Sequence, residues 1–166
     1  MRSERFRNLL TAWRELAEGP PADDRPNAAQ PIEEIAAERI RKVYRRMVRD
    51  GNRIDDASPA EDLHELRKRG KELRYLLELF GSPFPKAVVK PLVSTLKDLQ
   101  TVLGRFQDLA VQIELLHEVR DQLRGEPATL MALGSLLDAL VADQHAARDE
   151  FAATFDHFKG HAVPKP

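Results

Sequence analysis

The stretch Leu63-His64-Glu65-Leu66-Arg67-Lys68-Arg69-Gly70-Lys71-Glu72-Leu73-Arg74-Tyr75-Leu76-Leu77 reads as a helix with two unlike faces. An α-helix turns by about 100° per residue, so side chains can be assigned to faces by arithmetic. With His64 as origin, Arg67, Lys68, Lys71, Arg74 and Tyr75 fall within an arc of roughly 120°. Leu66, Leu73, Leu77 and Phe80 gather on the opposite side. Such spacing predicts an amphipathic helix with an aliphatic core face and a cationic outer strip. Ser58-Pro59-Ala60-Glu61 supplies an N-cap, a proline at the first helical position and an acid three residues beyond the cap. Gly81-Ser82-Pro83 breaks the pattern.

The pattern recurs on either side. Upstream, residues 32–50 form a second helix between Pro31 and Gly51-Asn52, with Ile40, Val43, Tyr44 and Met47 on one face. Earlier still, Phe6, Leu9, Leu10, Trp13 and Leu16 mark a short helix over 4–17, which stops at Gly19-Pro20-Pro21. Downstream, Leu92, Leu96, Leu99, Leu103, Phe106, Leu109 and Ile113 are the apolar band of a long helix starting near Pro85 and reaching about Leu123. Gly125-Glu126-Pro127 closes it, and a last helix covers about Ala128 to Phe158. No alternating β-branched run competes. The expected fold is all-α: an antiparallel bundle of about four long helices plus a short N-terminal one. Residues 1–18 are that N-terminal helix, 19–31 a linker, 32–158 the four-helix unit and 159–166 a flexible tail.

Composition narrows the chemistry. The 166 residues are 42% hydrophobic, 6% aromatic and 32% charged, which suits aliphatic stripes beneath heavily solvated faces. No cysteine is present, so disulfides, thiolate metal sites and cysteine nucleophiles are excluded. No run approaches the roughly 18 apolar residues that span a bilayer, and charges fill the N-terminal stretch where a signal peptide would be apolar. A cytoplasmic location without membrane contact is expected. Net charge is only −1, so any anion recognition must come from local separation of charge.

That separation exists. Besides the His64 strip, Arg39, Lys42, Arg45, Arg46 and Arg49 crowd the outer side of the second helix, with no acid among residues 39–49. The long fourth helix adds Lys90, Ser94, Lys97, Thr101 and Asp108, with Gln100 and Arg105 at the edges. If these helices are neighbours, their polar faces line one concave basic surface. Arg offers forked donors that match phosphate oxygens and Lys a point charge. From His64 to Arg74 the strip is about 15 Å long, enough to meet several successive phosphates. A basic helix face is most often solvated surface. Two such faces with little acidic compensation make a polyanion ligand the sharper reading.

Two segments resemble the conserved histidine α-helical domain, CHAD. The first has His64, Arg67, a basic residue at 71, then Arg74-Tyr75. The second is Leu96-Lys97-Asp98-Leu99-Gln100 followed by Leu103-Gly104-Arg105-Phe106-Gln107-Asp108-Leu109, with Gln107 where Asn is more usual. The resemblance extends loosely over residues 4–158. It implies a helical domain that binds inorganic polyphosphate in a basic groove without catalysis, with no cofactor and no metal. The binding residues it implies are His64, Arg67, Lys68, Lys71, Arg74 and Tyr75, joined by Lys97, Arg39, Lys42 and Arg46. Polyphosphate granules are the implied setting. The family pairs two similar halves, whereas one histidine helix occurs here, so the chain resembles the C-terminal half. A missing N-terminal half-domain or a homodimer would complete the groove.

Other readings are weaker. A phosphoryl-transfer or polyphosphate-hydrolysing enzyme needs a metal or carboxylate cluster beside the strip, and none is evident in the sequence. A helical protein or nucleic-acid interaction module is the other alternative. Nucleic acid is disfavoured because Tyr75 is the only aromatic among the cations. The pairs His117/Asp121 and His145/Asp149 share helix faces but offer too few ligands for a closed metal site. His157 and His161 are expected exposed or locally hydrogen-bonded, and Asp98 and Asp108 are read as electrostatic support for nearby cations.

Overall fold

The computed structural model describes residues 3–20, 30–122, 127–161 and 163. Most of the expected linker, residues 123–126 and half of the expected tail lie outside the described residues. The chain divides into two compact units, 1–32 and 33–166. Five helices and, among the described residues, no strand are present.

The first unit holds α1 (Glu4–Glu18), capped by Ser3, whose Oγ accepts from the Phe6 amide at 3.3 Å. In the second unit come α2 (Ile32–Gly51), α3 (Ala60–Phe80), α4 (Lys86–Gln122) and α5 (Pro127–Lys159). Acidic Glu33 and Glu34 at the start of α2 and Arg49 at its end complement the helix dipole. Ala36, Ala37, Ile40, Val43 and Met47 are its buried face.

One core joins α2 to α5, with Leu63, Leu66, Leu73 and Leu77 from α3, Leu92 to Leu109 from α4, and Ala147, Phe151, Phe155 and Phe158 from α5. Helix α4 packs along both α3 and α5. At the end of α2, a Cβ on Gly51 would run into the buried Phe155 ring, so glycine fits there. Tyr44 stacks obliquely on Phe158 at 5.4 Å, and its hydroxyl donates to the Lys159 carbonyl at 3.0 Å. Burial pushes the Tyr44 phenol up from its ordinary pKa.

Three local expectations are corrected. Ser58 does not cap α3. Its hydroxyl donates to Asp55 Oδ1 at 3.0 Å and accepts from the Asp55 amide at 2.9 Å, closing the 55–58 turn, and Pro59 takes the cap position without a side-chain bond. Phe80 is 37% exposed because α3 ends there, and Phe84 closes the core at this end instead. The tail is anchored over its described part: His161 Nδ1 lies 2.9 Å from the His157 carbonyl, and Val163 packs against the core. Pro91 lies within α4, where Thr95 Oγ1 donates to the Pro91 carbonyl at 3.2 Å.

Candidate functional site: the basic seam between α3 and α4

Three contacts set α3 against α4. His64 Nδ1 lies 2.9 Å from Gln107 Oε1, a Cβ on Gly104 would sit 3.9 Å from Arg67 Nε, and one on Gly70 would sit 3.6 Å from Gln100 Nε2. Positions rising by three on α3 meet positions falling by three or four on α4, the register of an antiparallel pair. One turn further, the same register sets Lys97 level with Arg74, and Lys97 borders a groove with Leu77 and Glu78 of α3 and Lys90 of α4. Gly70 lets α3 approach Met47 of α2 as well, whose Cε would be 3.3 Å from an added Cβ, whereas a Cβ on Gly104 would make only ordinary contact with Arg67.

Polar partners orient the strip. With the Gln107 amide oxygen as acceptor, His64 Nδ1 carries the hydrogen and Nε2 is left for a ligand. Lys68 donates to Glu65 one turn back, and this bond holds the Glu65 carboxyl below its ordinary pKa, helped by the charges of Lys68, His64 and Arg69. Arg74 Nε lies 3.8 Å from Glu78 but makes no hydrogen bond, and its guanidinium sits over the Tyr75 ring at 5.3 Å. Arg67 and Lys71 are half-buried, and among the described residues neither forms an ion pair. Arg67 lies against Gly104 of α4, and neither cation meets an acid among the described residues.

A family model described as the CHAD domain matches residues 1–117. The chain belongs to the CHAD domain family. The match takes in α2, α3 and most of α4, and α5 lies beyond it. No curated protein sequence matches the chain.

In this CHAD chain the three basic faces do not merge into one surface, which corrects the sequence expectation. Arg39 leaves the outer face of α2 to pair with Glu72 of α3 at 2.5 Å. Asp50 binds Arg49 at 2.9 Å and Arg69 of α3 at 3.0 Å, and with Asp62 and Glu65 it lines a depression between the two helices. Glu72 reaches Arg39 across the α2–α3 seam, while Asp50, at the end of α2 itself, serves both its neighbour Arg49 and Arg69 of α3. Lys42 and Arg46 face a separate depression with Glu38, Arg41, Arg45 and Arg49, and every described residue lining it belongs to α2. Arg105 turns toward α5, 3.7 Å from both Asp143 and Glu150. Asp98 and Asp108 are exposed and form no contact ion pair among the described residues.

One grouping escaped the sequence reading. Glu61, His64 and Glu65 offer ligand atoms within 4.8 Å of one another at the start of the CHAD strip. Their i, i+3, i+4 spacing on one helix was the available signal. His161 rests on His157, with ring centroids 5.0 Å apart, while the Asp121 side chain lies outside the described residues.

Proposed function

We propose that this CHAD-family chain binds inorganic polyphosphate along the α3–α4 seam and catalyses no reaction on it. One observation supports this most: Arg67 and Lys71 are half-buried and lack a carboxylate partner, in line with His64, Arg74 and Lys97. Half-buried guanidinium and ammonium groups lose little further freedom when a ligand arrives, and each phosphate they meet releases counterions. The family is consistent with polyphosphate as the anion. Lys68 and Tyr75, both exposed, flank the seam and take the outer phosphate oxygens. Among the described residues no helix is long and apolar enough to cross a membrane. A cytoplasmic chain acting at polyphosphate granules, alone or as a homodimer that restores a two-sided groove, fits this reading.

The test is a titration of long-chain polyphosphate into wild type and into Arg67→Ala/Arg74→Ala at two salt concentrations. Charge-assisted hydrogen bonds contribute roughly 1.5–3 kcal/mol each, so the double variant should bind at least about a hundredfold more weakly. Equal affinity in the two proteins would refute the seam. The Glu61–His64–Glu65 grouping gives the enzyme alternative its foothold. Phosphate release on adding Mg²⁺ or Mn²⁺, abolished by Glu61→Gln, would replace the binding reading with a hydrolytic one.

A further inference from the structure

Two helix faces of this chain are apolar and exposed, and their charged edges are opposite in sign. None of the 15 residues of α1 is buried, although Leu9, Leu10, Trp13 and Leu16 share one side of the helix with Phe6. At about 100° per residue, Arg5 falls along one edge of that side and Arg7 and Arg14 along the other, with Glu4 and Glu15 at the opposite pole. Glu18 approaches Arg14 only to 3.9 Å. On α4, Val111, Leu115 and Val119 stand at i, i+4 and i+8, and all three are exposed. They continue the side of α4 that carries Gln100, Gly104 and Gln107 toward α3. The register that sets His64 against Gln107 brings Ala60, the first residue of α3, level with about residue 111, and α4 runs on past it. Glu114 and Glu118 line one edge of this stripe, and Asp108 stands at its head. All three acids are exposed and form no contact ion pair among the described residues.

We propose that α1 of one copy packs on the Val111–Leu115–Val119 stripe of a second copy, and reciprocally, so that two chains form a symmetric dimer. The sign of the charges selects this occupant. Two α1 helices meeting face to face would set arginine edges against each other, and two stripes would oppose Glu114 and Glu118 to their like. An arginine-edged face on a glutamate-edged one removes both conflicts. Length agrees as well, since Phe6 to Leu16 covers about 15 Å of helix and Val111 to Val119 about 12 Å. Each copy carries one face of each kind, so the exchange is self-complementary, as a two-fold axis requires. Reciprocal docking buries both faces of both chains and moves the interface toward the roughly 1,200–2,000 Å² of a stable complex. The dimer needs no polyanion and holds whatever the α3–α4 seam binds.

Trp13 is the only tryptophan in the chain and reports the contact directly. Sedimentation and Trp13 emission are followed together over a concentration series for wild type, Arg7→Glu/Arg14→Glu and Glu114→Arg/Glu118→Arg. The exchanged side chains are exposed, so a thermal melt of each variant should show it folded. Wild type should form dimers, with Trp13 emission moving to the blue as they form. Each variant alone should dissociate at least about tenfold more readily. An equimolar mixture of the two variants should recover both dimer and blue shift, because the reversed edges match again. Wild-type chains that stay monomeric, with Trp13 solvated or shielded within its own chain, overturn the exchange. So does a dimer that either variant leaves intact, or a mixture that fails to recover it. A blue shift that appears only on adding phosphatidylglycerol vesicles assigns α1 to a lipid surface and also overturns the proposal.

Discussion

The α3–α4 seam and the outer face of α2 carry similar numbers of cations, but in different physical states. In the seam, Arg67 and Lys71 are half-buried, His64 is fixed by Gln107, and Arg74 is flanked by Glu78 and Tyr75. On α2, Lys42, Arg45 and Arg46 stand in solvent without such partners. Groups held in place by packing recognise a shape. Exposed groups contribute charge, fast association and strong dependence on salt. The same residue types are therefore oriented in one place and solvated in the other, and the neighbouring helix makes the difference.

The most drastic way to break the comparison is to cut α2 away from α5. Phe158 is fully buried against Tyr44, so Phe158→Ala should cost about 3–5 kcal/mol in chemical denaturation. A loss below about 1 kcal/mol would mean that α2 is held elsewhere. Next in size is a matched pair of single substitutions. Arg67→Ala should weaken polyphosphate binding by about 1.5–3 kcal/mol at moderate salt, and Arg45→Ala by less than about 1 kcal/mol, an effect that fades at high salt while that of Arg67→Ala persists. Equal effects at every salt concentration would erase the distinction between oriented and solvated cations.

Gly104→Ala sharpens the boundary of the seam. Its Cβ would meet Arg67 Nε at an ordinary 3.9 Å, so stability should rise by up to about 1 kcal/mol with affinity unchanged. A fall in affinity would show that the glycine itself is needed beside the ligand. The smallest effect concerns Glu65, whose carboxyl is held below its ordinary pKa by the Lys68 hydrogen bond. A carboxyl depressed on folding adds stability above its unfolded pKa and loses it as pH falls through the folded value. The modest stability advantage of wild type over Glu65→Gln at neutral pH should therefore vanish in acid. An advantage that is constant with pH would assign it to packing.

The helices were legible because burial on a helix imposes a period, and Ile40, Val43, Met47, Leu66, Leu73, Leu77 and the α4 leucines keep it. The cationic strip was legible for the same reason, since six residues from His64 to Tyr75 occupy one arc of a helix that the core orients. Helix ends were less so. Ser58 and Phe80 have the residue types of a cap and a core member, but the 55–58 turn claims one and Phe84 replaces the other. The Glu61–His64–Glu65 grouping lies in the spacing too, since i, i+3 and i+4 share one helix face.

Whether positive charge stays uncompensated is a different kind of question. Local sequence fixes which face of a helix a side chain occupies, because that depends only on position along a regular spiral. Arg39 meets Glu72 and Asp50 meets Arg69 across the space between α2 and α3, while Arg105 reaches Asp143 and Glu150 on α5. Those partners are distant in the chain and become neighbours only when helices pack. The residues alone determined an all-α chain with basic helix faces. Packing decided which of those cations are neutralised and which remain for an anion, because the attraction between charges depends on their separation in space.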